Sequence, residues 1–367
     1  MTPPQSRFMQ IAIAQALKGR GRTHPNPSVG AAVVRDGAVV GRGFHRGPGT
    51  PHAEVAALRE AGDLARGSDL YVTLEPCCTF GRTPPCTGTI VSSGVARVIS
   101  AVRDPNPEVC GRGAEELRRA GLEVVEGFLE EEGRSVDPPY HIFHGKRRPY
   151  VHLKWAQTLD GAVCAPGGGS ITGPAARTRV HQDRFLSDAI LVSAGTLLTD
   201  DPLLTVRLEG EQKPITRIIL DGRCRVTGRE KVFETCPDHG AVWVVRPAGR
   251  EACTFQGREG AELLPLEGYD SQGAPIDGLL RLLRTRRIMA LYVEAVGRLS
   301  ASFLRPGLVD KVSVHVAPYL AGGEKRPGAL DGLLGEQGWL ELKGARWEEA
   351  EGDRIVTAEL EGACLRD

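Results

Sequence analysis

His52 and Glu54, with one residue between them, and Cys77 and Cys86, with eight residues between them and Pro76 before the first, are the side chains here best suited to chemistry. One imidazole and two thiolates make a zinc ligand set of the hydrolytic kind. Three protein ligands leave a fourth tetrahedral position for water, whose pKa the metal lowers towards neutrality. Glu54 is not needed as a ligand. Beside the imidazole it suits a general acid and base that takes a proton from that water and gives it to a leaving amine. Either motif alone is a common chance occurrence in a chain with nine cysteines. What lifts the combination is where the residues fall.

Residues 53–61 (AEVAALREA) are rich in helix formers, so His52 and Glu54 open a helix. Residues 70–74 (LYVTL) are a short apolar run that Glu75-Pro76 ends, which places Cys77 just past a strand. Thr83-Pro84-Pro85 precedes a second helical stretch and puts Cys86 at its start. Helix N-termini lower thiol pKa and favour the thiolate a metal needs.

Upstream, residues 6–17 carry an apolar face at three-and-four spacing and read as a helix. Gly19-x-Gly21 lacks the preceding strand and third glycine of a dinucleotide fingerprint. Residues 29–34 and 38–44 read as a hairpin about Arg35-Asp36-Gly37. Strands at 95–102 and 122–127 around a helix at 114–120 complete a mixed sheet covered on both faces. Residues 129–149, with an acidic cluster, Asp137-Pro138-Pro139 and a basic run, read as a connector with some helix at its start. Strands are then expected at 151–156, 189–193, 216–220, 241–245, 290–294 and 311–317, with helices at 175–186, 276–285 and 300–304. This is a second α/β domain. The expected division is 1–128, 129–149 and 150–367.

At 367 residues the chain is long enough for two ordinary cores. Equal numbers of acidic and basic residues argue against a broad nucleic-acid footprint. No run reaches membrane-spanning length, and the first residues lack a cleavage-site pattern. Nine scattered cysteines, an odd number, fit a reducing cytoplasm better than a disulfide framework. Cys78 should point away from any metal that Cys77 binds.

The residues also carry a resemblance. H-x-E meets half of the nucleobase deaminase signature, whose cysteines are spaced C-x-x-C, while this chain has an eight-residue gap. Thr23-His24-Pro25-Asn26-Pro27-Ser28-Val29-Gly30, Pro51-His52-Ala53-Glu54, residues 72–77, Gly81-Arg82-Thr83-Pro84-Pro85-Cys86 and Asp104-Pro105-Asn106-Pro107 resemble the deaminase domain of the bifunctional riboflavin-biosynthesis deaminase/reductase family. The resemblance implies zinc ligation by His52, Cys77 and Cys86 and proton transfer by Glu54. It also implies a pyrimidine contact from Asn26, with Arg82 and Asp104 at the ribose and phosphate end. Where the family usually reads Pro-Cys-Ser-His, this chain has Pro76-Cys77-Cys78-Thr79.

In the second half, Leu153-Lys154, Thr158-Leu159-Asp160-Gly161, residues 188–192, Thr196 and residues 200–207 are similar to the family's reductase domain. That implies an N-terminal cytidine-deaminase-like three-layer α/β/α domain followed by a C-terminal dihydrofolate-reductase-like α/β domain that uses NADPH. By position, Lys154, Ser170, Arg184, Leu204, Arg207 and Glu294 would meet a phosphoribosyl pyrimidine substrate. Ala156, Thr196, Asp200 and the turn of Val296, Gly297, Arg298 and Leu299, running on to Ser302, would meet NADPH. Two departures stand out: Gly168-Gly169-Ser170-Ile171-Thr172 lacks a usual Trp, and Glu294-Ala295-Val296-Gly297 replaces a Glu-Gly-Gly turn. The expected reaction is deamination of a diaminopyrimidinone ribosyl phosphate, then reduction of the ribosyl to a ribityl chain. The rival readings are a polynucleotide deaminase, and a deaminase whose second domain has weakened or lost reduction. Oligomeric state is left open.

Overall fold

Two glycines on one face of a strand show how the first unit is assembled. A Cβ at Gly41 would lie 2.2 Å from the Ala57 carbonyl oxygen, and one at Gly43 2.2 Å from that of Ala53. The bare strand lets a helix rest directly on its backbone. That strand is β2 (Ala38–Phe44), and the helix is α2 (Ala53–Ala61), which carries His52 as its N-cap and Glu54 in its first turn. We expect Gly43→Ala to cost about 1–3 kcal/mol of stability through overpacking. Deamination should fall more than reduction, a difference that a melting curve run beside both assays would show.

The structure is a computed structural model that describes residues 3–81, 84–165, 169–250, 255–270, 273–322, 328–330 and 340–360. Contacts divide the chain into two compact units, residues 1–147 and 148–367. The first begins with α1 (Ser6–Leu17), β1 (Gly30–Arg35), β2 and α2. It continues through β3 (Asp69–Leu74), α3 (Cys86–Ser93), β4 (Arg97–Val102), α4 (Arg112–Arg119) and β5 (Glu123–Val125). The sheet runs β2-β1-β3-β4-β5, antiparallel across β1 and parallel from β3 to β5. Residues 129–149, expected as a connector, include α5 (Glu130–Arg134) and α6 (Pro138–Gly145), and nearly all fall in the first unit. Asp137 caps α6 by accepting from the Tyr140 amide. An Asp N-cap followed by proline is an ordinary helix start, and here it overrides the linker-like composition.

The second unit opens with β6 (Tyr150–Thr158), α7 (Pro174–Phe185), β7 (Ala189–Ser193), α8 (Ala194–Asp200), β8 (Thr216–Leu220) and α9 (Lys231–Glu234). It proceeds through β9 (Val242–Pro247), β10 (Ala261–Leu266), α10 (Ile276–Thr285), β11 (Ala290–Glu294), α11 (Arg298–Phe303), β12 (Lys311–Ala317), β13 (Arg346–Ala350) and β14 (Asp353–Glu359). Its sheet runs β10-β9-β8-β7-β11-β6-β12-β14-β13 and is parallel except about β14. Alternate residues enter different apolar clusters. Leu191, Ile218 and Val293 join one, while Ile190, Ile219 and Tyr292 join the other, so both faces are covered. On the second face β6 contributes His152 and Lys154 instead of apolar residues, and the polar cavity described below is lined by Lys154. Strands β10, β13 and β14 were not expected from the sequence. Pro265 interrupts the first, and β13 is an exposed edge without apolar alternation. No helix among the described residues is long and apolar enough to cross a membrane.

Candidate metal centre and cofactor cavity

The three expected ligands converge. His52 Nδ1 lies 3.1 Å from the Cys86 sulfur and 3.5 Å from the Cys77 sulfur, and all three ligand atoms fall within 4.8 Å of one another. Nitrogen and sulfur atoms bound tetrahedrally to one zinc stand roughly 3.5–3.8 Å apart, so the donor set fits that metal. His52 is the N-cap of α2, Cys77 follows the end of β3, and Cys86 opens α3. A hydrogen bond from Cys86 lowers the Cys77 thiol to about 4, while that shared proton and burial push Cys86 up. The pair is thus already half-way to the two thiolates that a dication takes. Cys78 stays outside the cluster, and burial raises its thiol.

Glu54 is only 3% exposed, and its carboxylate lies against the Cys86 thiol. Burial, and then the Cys77 charge, raise its pKa. Glu75, just before Pro76-Cys77, spends both carboxylate oxygens on the backbone amides of Asp104, Gly111 and Ala114. It therefore braces the cysteine loop and does not ligate.

Around the centre, Asn26 Nδ2 lies 3.1 Å from Nε2 of His45, whose ring sits edge-on to that of His52 at 5.2 Å. Asp104 is buried, accepts a hydrogen bond from the Tyr140 hydroxyl at 3.0 Å, and is pushed up by burial to about 7. The structure therefore turns Asp104 towards α6. Arg82, expected beside it, lies outside the described residues. The roles of His45, Glu75, Asp137 and Tyr140 were missed in the sequence, because each depends on a partner far away in the chain.

In the second unit a cavity of about 600 Å³ gathers Lys154, Ser170, Arg184, Arg207 and Glu294, together with Ala156, Thr196, Asp200 and Val296. Parallel register between β11 and β6 sets Glu294 beside Lys154. Arg184 on α7 donates to Glu294 at 2.7 Å and to the Thr205 carbonyl at 3.0 Å. Burial works to raise the Glu294 carboxyl, but the Arg184 and Lys154 charges outweigh it and leave it below its ordinary value. Burial lowers Lys154. Arg207 is exposed at the rim with no ion pair among the described residues. Leu204 has its side chain in the core, so only its backbone is free to touch a ligand. His181 and Arg177 also line this cavity and were not anticipated.

A second cavity of about 430 Å³ shares Val296 with the first and holds Ser193, Arg223, Arg225, Arg298 and Leu299. Gly297, the N-cap of α11, has φ 65° and lines neither. Two adjoining cavities with arginines in the second suit an extended dinucleotide bearing phosphates, so the residues fit NADPH.

Fold and site together define a class: a zinc-dependent deaminase unit followed by a dihydrofolate-reductase-like reductase unit. Residues 3–102 match the cytidine and deoxycytidylate deaminase zinc-binding region, and residues 149–356 match the RibD C-terminal domain. The chain belongs to the RibD family of riboflavin biosynthesis proteins. It is 43% identical over 317 residues to the RibD of Aquifex aeolicus, covering 86% of this chain and 87% of that protein. Against Escherichia coli RibD it is 38% identical over 336 residues, covering 87% and 89%. It is also similar to the crystal structure of a diaminohydroxyphosphoribosylaminopyrimidine deaminase/5-amino-6-(5-phosphoribosylamino)uracil reductase from Thermotoga maritima. That match has TM-score 0.84 and 36% identity, covering 96% of this chain and 97% of that one. The activities are deamination and then reduction in riboflavin biosynthesis, and the cofactors are zinc and NADPH.

Proposed function

We propose that the two reactions divide between the two units, with deamination in residues 1–128 and the helices that follow, and reduction from residue 150 onward. Zinc, held by His52, Cys77 and Cys86, supplies an activated water when bound. Glu54, buried against Cys86, takes a proton from that water at its carboxylate and delivers it to the departing amine of the diaminopyrimidinone. Asn26 hydrogen-bonds the pyrimidine. Arg82 supplies charge at the phosphate end, and Asp104 shapes that end from its place beside Tyr140. The observation that carries this half is the convergence of one imidazole, two thiols and a buried carboxylate from three elements.

In the reductase cavity NADPH supplies hydride to C1 of the ribose when bound. The ribityl product would carry the former ring oxygen as a hydroxyl, so one proton is taken up overall. Lys154, Arg184, Glu294, Ser170 and the Leu204 backbone hold the sugar, and Arg207 meets the phosphate. Ala156, Thr196, Asp200 and residues 296–299 hold the cofactor. The substrate is a small phosphoribosyl pyrimidine and not a polynucleotide, in keeping with the balanced charge. A cytoplasmic setting is in keeping with nine scattered cysteines, an odd number.

Arg207→Ala tests this division. Losing one charge-assisted pair to phosphate costs about 1.5–3 kcal/mol, a rise of roughly tenfold to hundredfold in the reductase KM. Deamination should be unchanged. Loss of both activities would overturn the proposed separation.

A further inference from the structure

The loop that carries Asn26 is held tightly by its backbone. The Asn26 amide donates to the Thr23 carbonyl at 2.9 Å, and the Thr23 and Ser28 hydroxyls share a hydrogen bond at 2.9 Å. Asp137 accepts from the Ser28 amide at 2.8 Å and pairs with the His24 ring at 3.3 Å. What this scaffold does not decide is which end of the Asn26 side-chain amide faces outward. A half-turn of that amide exchanges an acceptor for two donors.

We infer that His45 makes that choice, so that Asn26 presents its carbonyl oxygen to the pyrimidine. Nδ1 of His45 lies 3.3 Å from the Pro51 carbonyl oxygen, which can only accept, so the ring hydrogen sits on Nδ1. His45 is 2% exposed, and with its hydrogen on Nδ1 the other ring nitrogen, Nε2, offers a bare lone pair. Only the NH2 end of Asn26 can satisfy that lone pair, and Nδ2 is the atom found there at 3.1 Å. Asn26 Oδ1 has no partner among the described residues, and the side chain is half-exposed. The His45 ring in turn abuts His52, so this oxygen belongs to the surroundings of the metal centre.

The consequence is a specificity rule. An edge of the pyrimidine bearing a ring N–H or an amino group is accepted, while one bearing a bare nitrogen or a carbonyl meets a lone pair and is rejected. A diaminopyrimidinone offers such donors. His45 is thus a positioning residue that acts through Asn26, and the inference rests on the reading of Asn26 as a substrate contact.

The test uses the full-length zinc-loaded protein. Deamination kinetics and metal content are measured, with calorimetric substrate affinity in the Glu54→Gln background. His45→Phe should raise KM and Kd roughly tenfold, with one zinc per chain and a much smaller change in kcat. His45→Gln can donate to Pro51 and accept from Asn26, so it should recover most of that affinity. Asn26→Asp in the native background should bind worse than His45→Phe, because a carboxylate oxygen must then face the Nε2 lone pair. In the His45→Phe background the same change should improve binding, since a carboxylate presents oxygen whichever way it turns. The inference is overturned if Asn26→Asp has the same sign in both backgrounds, or if His45→Phe leaves KM unchanged while Asn26→Ala raises it. If Asn26→Ala changes neither KM nor Kd, the assignment of Asn26 to the substrate falls first.

Discussion

Glu54→Gln should lose deamination by about a thousandfold or more, because in the proposed mechanism one carboxylate would serve both the attack of water and the departure of the amine. The amide has nearly the shape of the acid but cannot carry a proton between two oxygens. The 3% exposure of Glu54 makes the effect larger, since bulk water cannot substitute as the carrier. Zinc content should stay at one per chain. Reduction of the deaminated intermediate, supplied directly, should proceed at the native rate, because the reductase cavity lies in the other unit. Rapid-quench assay of ammonia release beside NADPH oxidation would read both halves. Deamination within tenfold of native would remove Glu54 from the mechanism.

Cys86→Ser should empty the metal site, with deamination lost in proportion to the zinc. A serine hydroxyl stays protonated at neutral pH and is a harder donor than the thiolate it replaces. It would also leave His52 and Cys77 as a two-ligand remnant. Structural zinc sites bind with apparent free energies of about 10–16 kcal/mol, so one ligand lost in three is a large fraction. Cys78→Ser is the matched control. Cys78 adjoins a ligand in sequence but lies outside the cluster, so its zinc content should match the native protein. Metal analysis after dialysis decides the matter. An empty site in Cys78→Ser with a filled one in Cys86→Ser would reverse the ligand assignment.

How far these residues could be read before the fold was known varies with how local their signals are. His52, Cys77 and Cys86 each sit at an element end marked by its immediate neighbours. The marks are an alanine-rich helix, a β-run stopped by Glu75-Pro76, and a proline pair before a helix. Such punctuation acts over three or four residues, and α1, β2 and α2 have the expected bounds for the same reason. Asp137 shows the opposite failure. Its N-cap and proline signal was present, but charge clusters on both sides read as a linker, and only the packing of α6 put Asp137 under the Asn26 loop and Tyr140 against Asp104.

The order of residues alone sets the chemistry available: a thiolate–imidazole ligand set, a carboxylate beside it, and a second α/β unit rich in arginines. Tertiary structure decided which distant groups meet. Glu294 reaches Lys154 through strand register, and Arg184 reaches Glu294 because α7 packs on that face. Asn26 reaches His45 because a loop and a strand end converge. Ligand type is a property of single side chains and survives in a string of letters. A register or a hydrogen-bond direction is a relation between residues far apart in the chain, and the free energy that selects it comes from burying many side chains at once.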